Sequence, residues 1–184
     1  SFVMLCLPFF MLAGNIMSTG GITEKLIKMA QSYIGHIKGG LAMCDVLVCM
    51  LFGTVSGSAV AGTSAVGSLM IPSMKKEGYD SGFAAGLTSV ASTCCPVIPP
   101  SLAFVIYGAA AKVSVGDMFL AGIVPGILMG LLMMALAYYY SVKRNYPKQE
   151  RSTWRERLAA TVKAVPSLGI PEVNGILIVN RDYT

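Results

Sequence analysis

The chain has 184 residues, of which 54% are hydrophobic and only 12% charged. A soluble domain carries about a quarter charged residues, so there is too little charge here to solvate a globular surface. The formal net charge is +5, but half of the 14 Lys and Arg residues lie between Lys143 and Lys163, a placement that suits a cytoplasmic membrane flank and argues against nucleic acid as a partner.

In a lipid bilayer only helices and closed barrels satisfy their own backbone polar groups. Barrel strands alternate apolar and polar residues over about ten positions. The apolar runs here are long and unalternated, so the reading is an all-α membrane protein with several passes. Residues 1–20 read as a transmembrane helix interrupted by Pro8 and closed by Gly20-Gly21. It opens on Ser1 as a helix already under way, so the chain is expected to be a fragment of a longer protein. Residues 21–38 follow as an amphipathic helix lying in the interface. Ile22, Leu26, Met29, Ala30, Tyr33, Ile34 and Ile37 recur there at three and four, with His36 as a solvated or headgroup-contacting residue at the polar end.

Residues 39–74 are expected to form a re-entrant helical hairpin. The segment holds more apolar and small residues than one crossing of about 20 needs, and its middle reads GTVSGSAVAGTSAVGS. A single helix does not favour so many glycines, each costing about 1 kcal/mol against Ala. The arms are read as Gly40 to Val55 and Ala59 to Met70, with a tip at Ser56, Gly57 and Ser58. Lys38 before the segment and Lys75-Lys76 after it suit entry and exit on the same side. Asp45, the single carboxylate in either arm, is expected near the headgroups, with ion binding as the alternative.

Residues 82–111 form a discontinuous transmembrane helix. Its middle, ASTCCPVIPPS, holds Pro96, Pro99 and Pro100. Each lacks an amide hydrogen and disfavours helix in the residue before it. Residues 118–142 read as an unbroken transmembrane helix with Tyr138, Tyr139 and Tyr140 as an aromatic belt. Residues 143–184 are a cytoplasmic basic flank and an atypical tail, in which Trp154 to Ala164 is suited to an interfacial helix.

Chemistry is expected at the two breaks. Helix N-termini offer partial positive charge and unpaired N–H groups to a carboxylate. Helix C-termini and unwound carbonyls suit a small cation such as Na⁺, and interrupted apolar segments are the best pointer to a secondary transporter's binding site. Ser56, Ser58, Ser92, Thr93 and Ser101 add hydroxyls beside those carbonyls. An enzyme is not expected: the chain has one His, no acid pair in a plausible cleft and no phosphate-cradling loop, and its five cysteines have no metal-ligand spacing.

The residues Leu7-Pro8-Phe9-Phe10, Ala13 to Met17, Gly35-His36, Ser56-Gly57-Ser58-Ala59-Val60-Ala61, Ile71-Pro72, Ser92-Thr93, Pro96 and Ile98-Pro99-Pro100-Ser101 carry a resemblance. Over residues 1–171 the chain resembles the large, DctM-like membrane subunit of the TRAP (tripartite ATP-independent periplasmic) transporters. The resemblance implies one repeat of an inverted-repeat, elevator-type transporter of the bacterial inner membrane. It implies Na⁺-coupled uptake of a small organic anion, of the dicarboxylate, sialic acid or sugar acid class, together with a small membrane subunit and a periplasmic substrate-binding protein. No cofactor is implied beyond the coupling ion. Ser56, Gly57, Ser58, Ala59, Ser92, Thr93, Pro96, Pro99, Pro100 and Ser101 would line the ion and substrate site, with Na⁺ at Ser56, Ser58, Ser92 and Thr93. The chain departs from the family pattern at Gly62, where an Asp is usual, and at Cys94-Cys95, where Ile-Gly is usual. Two other readings stay open: an anion or ion channel with a re-entrant filter, and a non-transporting truncated remnant.

Overall fold

The computed structural model describes residue 12, residues 21–149, residues 153–162 and residue 164. Apart from Leu12, the expected first transmembrane helix lies outside the described residues, as does the tail beyond residue 164. The described residues are helical, with no strand among them: α1 (Ile22–Ile34), α2 (Gly40–Ser56), α3 (Ala59–Lys76), α4 (Ser81–Ala91), a 3₁₀ turn (Ser92–Cys94), α5 (Leu102–Ala111) and α6 (Val115–Lys143). Residues 154–162 are also helical.

Cross-contacts fix the direction of each element. Asp45 bonds Thr88 and Cys49 meets Ser92, both at a separation of 43 residues, so α2 runs parallel to α4. On α3 the order reverses: Gly67 lies against Thr88, and Gly62, nearer its start, against Ser92 and Cys95. The arms α2 and α3 are therefore antiparallel, turn at Gly57-Ser58, and both lie on α4. Residues near the tip meet the end of α4, and the open ends meet its beginning.

Helix α6 runs the other way beside them. Gly122 lies against Val97 and Phe104, Gly126 against Ile98 and Gly130 against Met50. These glycines, one every four residues, make a seam that lets the α6 backbone approach the break and the hairpin closely. The opposite face of α6 exposes Leu120, Val124, Ile127, Leu128, Leu131, Leu132 and Leu136. Its 29 residues reach about 43 Å at 1.5 Å per residue, longer than the hydrocarbon core of about 30 Å. It is the one described helix both long and apolar enough to cross a membrane.

The chain after α6 straps the open end of the hairpin. The Gly39 amide donates to the Pro147 carbonyl and the Gln149 amide to the Gly35 carbonyl, while Tyr146 stacks on Tyr79 at 4.1 Å between centroids. Gly39 itself sits at φ 70° against Ser141, a left-handed conformation in a space with no room for a β-carbon.

Two expectations change here. The apolar stripe drawn on residues 21–38 holds at Ile22, Leu26 and Ala30, which are buried, but Ile27, Thr23 and Ser32 are buried too, whereas Tyr33 and Ile37 are 41% and 37% exposed. Helix α1 ends at Ile34 and packs chiefly on α2, so that neighbour contributes to which residues are covered. His36 is half-buried, and its Nδ1 is buried without a hydrogen-bond partner among the described residues; it is not fully solvated.

Candidate functional site

The site is built where the hairpin tip meets the break in the α4–α5 element. Gly57 ends α2 at φ 57°, ψ 13°, with its amide donating to the Gly53 carbonyl at 2.8 Å. Ser58 then extends and caps α3, its Oγ accepting from the Ala61 amide at 3.4 Å. The Ser56 Oγ lies 3.4 Å from the Ser58 amide, a long contact that leaves this hydroxyl weakly held. Ser56 is buried, while Ser58 and Ala59 are half-buried.

Across from the tip, α4 tightens into the 3₁₀ turn. Buried Ser92 donates from Oγ to the Thr88 carbonyl at 2.8 Å, and Thr93 donates to the Val90 carbonyl at 2.7 Å. These two neighbours face opposite ways, since Ser92 is buried and Thr93 exposed. The close fit of tip and turn depends on small residues. A β-carbon on Gly53 would lie 2.8 Å from Cys95 Cα, and one on Gly62 would lie 2.7 Å from Cys95 Sγ.

The break continues through Pro96, Val97, Ile98, Pro99 and Pro100. Pro96 and Pro99 are half-buried and Pro100 is buried. Ser101 closes it from both sides, accepting from the Phe104 amide at 3.4 Å as the cap of α5 and donating to the Pro96 carbonyl at 2.5 Å. Among the described residues the carbonyls of Cys95, Val97, Ile98 and Pro99 accept no backbone hydrogen bond. Unwound carbonyls of this kind suit a small hard cation.

The structure thus brings Ser56, Gly57, Ser58 and Ala59 to the same end of the assembly as Ser92. Thr93 turns to the outer face. From Val97 onward the chain leads away from the hairpin to α6, carrying Pro99, Pro100 and Ser101 with it. Most of these hydroxyls already bond their local backbone, as Ser and Thr commonly do in helices.

Asp45, expected near the headgroups, is covered by protein: its exposure is 0%, and Oδ2 accepts from Thr88 Oγ1 at 2.8 Å, while Oδ1 has no partner among the described residues. The sequence carried a signal for this pairing. Asp45 and Cys49, like Thr88 and Ser92, are spaced at i and i+4, which puts each pair on one helix face. What it did not carry was that the two faces meet.

The sequence model of the family described as "Tripartite ATP-independent periplasmic transporter, DctM component" matches residues 1–179. A Pseudomonas aeruginosa protein named as a C4-dicarboxylate TRAP transporter large permease protein is 44% identical over 164 residues, covering 89% of this chain and 38% of its own length. A Vibrio cholerae sialic acid TRAP transporter large permease protein is 38% identical over 173 residues, with 94% of this chain and 40% of its own length covered. An Escherichia coli 2,3-diketo-L-gulonate TRAP transporter large permease protein is 37% identical over 173 residues, covering 94% of this chain and 41% of its own length. The chain spans about two fifths of the length of these relatives.

Proposed function

The chain belongs to the DctM component family of the tripartite ATP-independent periplasmic transporters, and on that premise we propose that it supplies one half-site of a Na⁺-coupled organic-anion transporter. The family is one of transport permeases and not of enzymes. In this reading the chain is part of a multi-pass inner-membrane protein. The hairpin α2–α3 enters and leaves the bilayer on the cytoplasmic side, α4–α5 crosses with a break at mid-depth, and α6 crosses intact. A second, inverted repeat completes the site and moves with it as an elevator. A small membrane subunit and a periplasmic substrate-binding protein complete the assembly.

One observation carries the reading: the hairpin tip is seated on the turn that opens the proline break, with Gly53 and Gly62 both against Cys95. This puts a helix C-terminus (α2), a helix N-terminus (α3) and unbonded carbonyls side by side, which is the set of groups a transporter needs for a cation and a carboxylate. Na⁺ would take oxygens from Ser56, Ser58, Ser92 and the break carbonyls, without Thr93, which faces the other way. The anion's carboxylate would face the N-termini of α3 and α5, behind the caps Ser58 and Ser101. Substrates named for the relatives, a C4-dicarboxylate, sialic acid and 2,3-diketo-L-gulonate, define the class to be tested.

The test is uptake of these labelled anions into proteoliposomes holding the full-length protein with its membrane and binding-protein partners. Uptake is expected to follow an inward Na⁺ gradient and to be abolished by Ser58→Phe or Ser92→Phe, with thermal melts showing that the variants stay folded. Uptake indifferent to the Na⁺ gradient overturns the coupling. Single-channel currents without a binding protein would establish the channel reading instead.

A further inference from the structure

We infer that Asp45 is a proton-binding site, a buried carboxyl held by a hydroxyl one helix turn before the turn that opens the helix break. An ionisable side chain inside a membrane protein is costly unless paired, and those that occur mark ion or proton pathways. Asp45 is completely buried and makes no ion pair among the described residues.

The geometry around Thr88 accommodates both protonation states. Thr88 Oγ1 lies 2.8 Å from Asp45 Oδ2 and 3.0 Å from the Ala84 carbonyl. A hydroxyl has one proton to give and can rotate to give it either way. With Asp45 charged, Thr88 donates to the carboxylate. With Asp45 protonated on Oδ2, Asp45 donates to Thr88 Oγ1, and Thr88 turns its own proton to the Ala84 carbonyl. One proton from water is taken up or released, no other bond changes, and both states are hydrogen-bonded. A group whose role was only to hold α2 to α4 would need one of the two.

The pair stands next to the break. The Thr88 carbonyl accepts from Ser92 Oγ at 2.8 Å, Ser92 Oγ meets Cys49 Sγ at 3.6 Å, and the Cys49 carbonyl accepts from Cys95 Sγ at 3.3 Å. Among the described residues, few other titratable groups can take the role. On α2 itself Asp45 has the Cys44 and Cys49 thiols as neighbours, and the turn after α4 brings Cys94 and Cys95. Glu24, Lys25 and Lys28 of α1 are exposed, as are Lys75 and Lys76 of α3, Asp80 at the start of α4, and Tyr138, Tyr139, Tyr140 and Lys143 of α6. His36, Glu77 and Tyr79 lie in the corners at the open end of the hairpin.

The effect on transport rests on the function proposed above; the protonation does not. The full-length protein in proteoliposomes is to be followed by infrared spectroscopy across pH. A carboxylic acid carbonyl band is expected that titrates, is lost in Asp45→Asn, and is kept but shifted in frequency in Thr88→Val. Na⁺-driven uptake is expected to vary with pH along the same curve in the wild type and to lose that dependence in Asp45→Asn. A band present or absent at every pH, or an Asp45→Asn variant that keeps the wild-type pH profile, overturns the inference. If Na⁺ fails to drive uptake while the band still titrates, the proposed coupling falls and the proton site stands.

Discussion

Gly57 shows how much of the candidate site rests on single residues. It ends α2 at φ 57°, where an L side chain meets the following carbonyl at a cost of about 1–2 kcal/mol. Gly57→Ala is therefore expected to destabilise the protein by about 1 kcal/mol and Gly57→Asn by less, since Asn tolerates this conformation; chemical denaturation in detergent measures both. Gly53 poses a different constraint, one of space. Its added β-carbon would meet the Cys95 backbone, which cannot rotate out of the way. The departures at Gly62 and Cys94-Cys95 become intelligible together, because the Cys95 thiol fills the volume that a side chain at position 62 would need. The burial of Asp45 was not legible, because a position near the start of an arm does not say which helices cover that start; α1 and α4 pack on α2.

At the scale of elements, the breaks were legible because their causes are local. Pro96, Pro99 and Pro100 withhold amides from any helix through them, and the structure has no helix between Cys94 and Leu102. The face of α1 was not legible, because periodicity alone does not say that α2 will cover Thr23 and Ser32. Nor was the strap after α6, whose contacts join residues far apart in the chain. Its aromatic seam makes a pH-dependent prediction. Tyr79 is 4% exposed, stacks on Tyr146, and its hydroxyl lacks a well-formed hydrogen bond among the described residues. Burial, with Glu77 adding to it, raises the phenol well above its usual value. The folded state thus holds its proton to higher pH than the unfolded chain does, and the contribution of the buried neutral phenol is intact below about pH 10 and lost as pH rises beyond it. Tyr79→Phe is expected to leave stability near neutral pH within about 0.5 kcal/mol, because an unpaired buried hydroxyl contributes little. It is also expected to flatten the alkaline loss. Thermal melts across pH 8 to 11 check both, and an unchanged alkaline limb would remove Tyr79 from the account.

At the scale of the whole molecule, one charge pattern orders the helices. Lys38, Lys75, Lys76, Lys143, Arg144 and Lys148 all belong to the end where the strap joins α6 to the open end of the hairpin. Lys112, between α5 and α6, stands at the other end and is the single Lys or Arg between residues 77 and 142. Basic residues concentrate on the cytoplasmic side, so the strapped end is expected to face the cytoplasm. The hairpin's depth follows from its contacts. Gly130, near the middle of the 29-residue α6, packs on Met50, about two helix turns short of the tip, so a hairpin entering beside the end of α6 runs past its middle and reverses before its other end. Single cysteines in place of Lys38, Lys75, Lys143 and Lys112, in a cysteine-depleted full-length protein, test this with a membrane-impermeant maleimide. The first three are expected to label from one side and the fourth from the other. If Lys38 and Lys75 were to label from opposite sides, α2–α3 would cross the bilayer. The packing of Gly53 and Gly62 on Cys95 would then join two elements inside a crossing bundle rather than forming the floor of a half-site open to a second repeat.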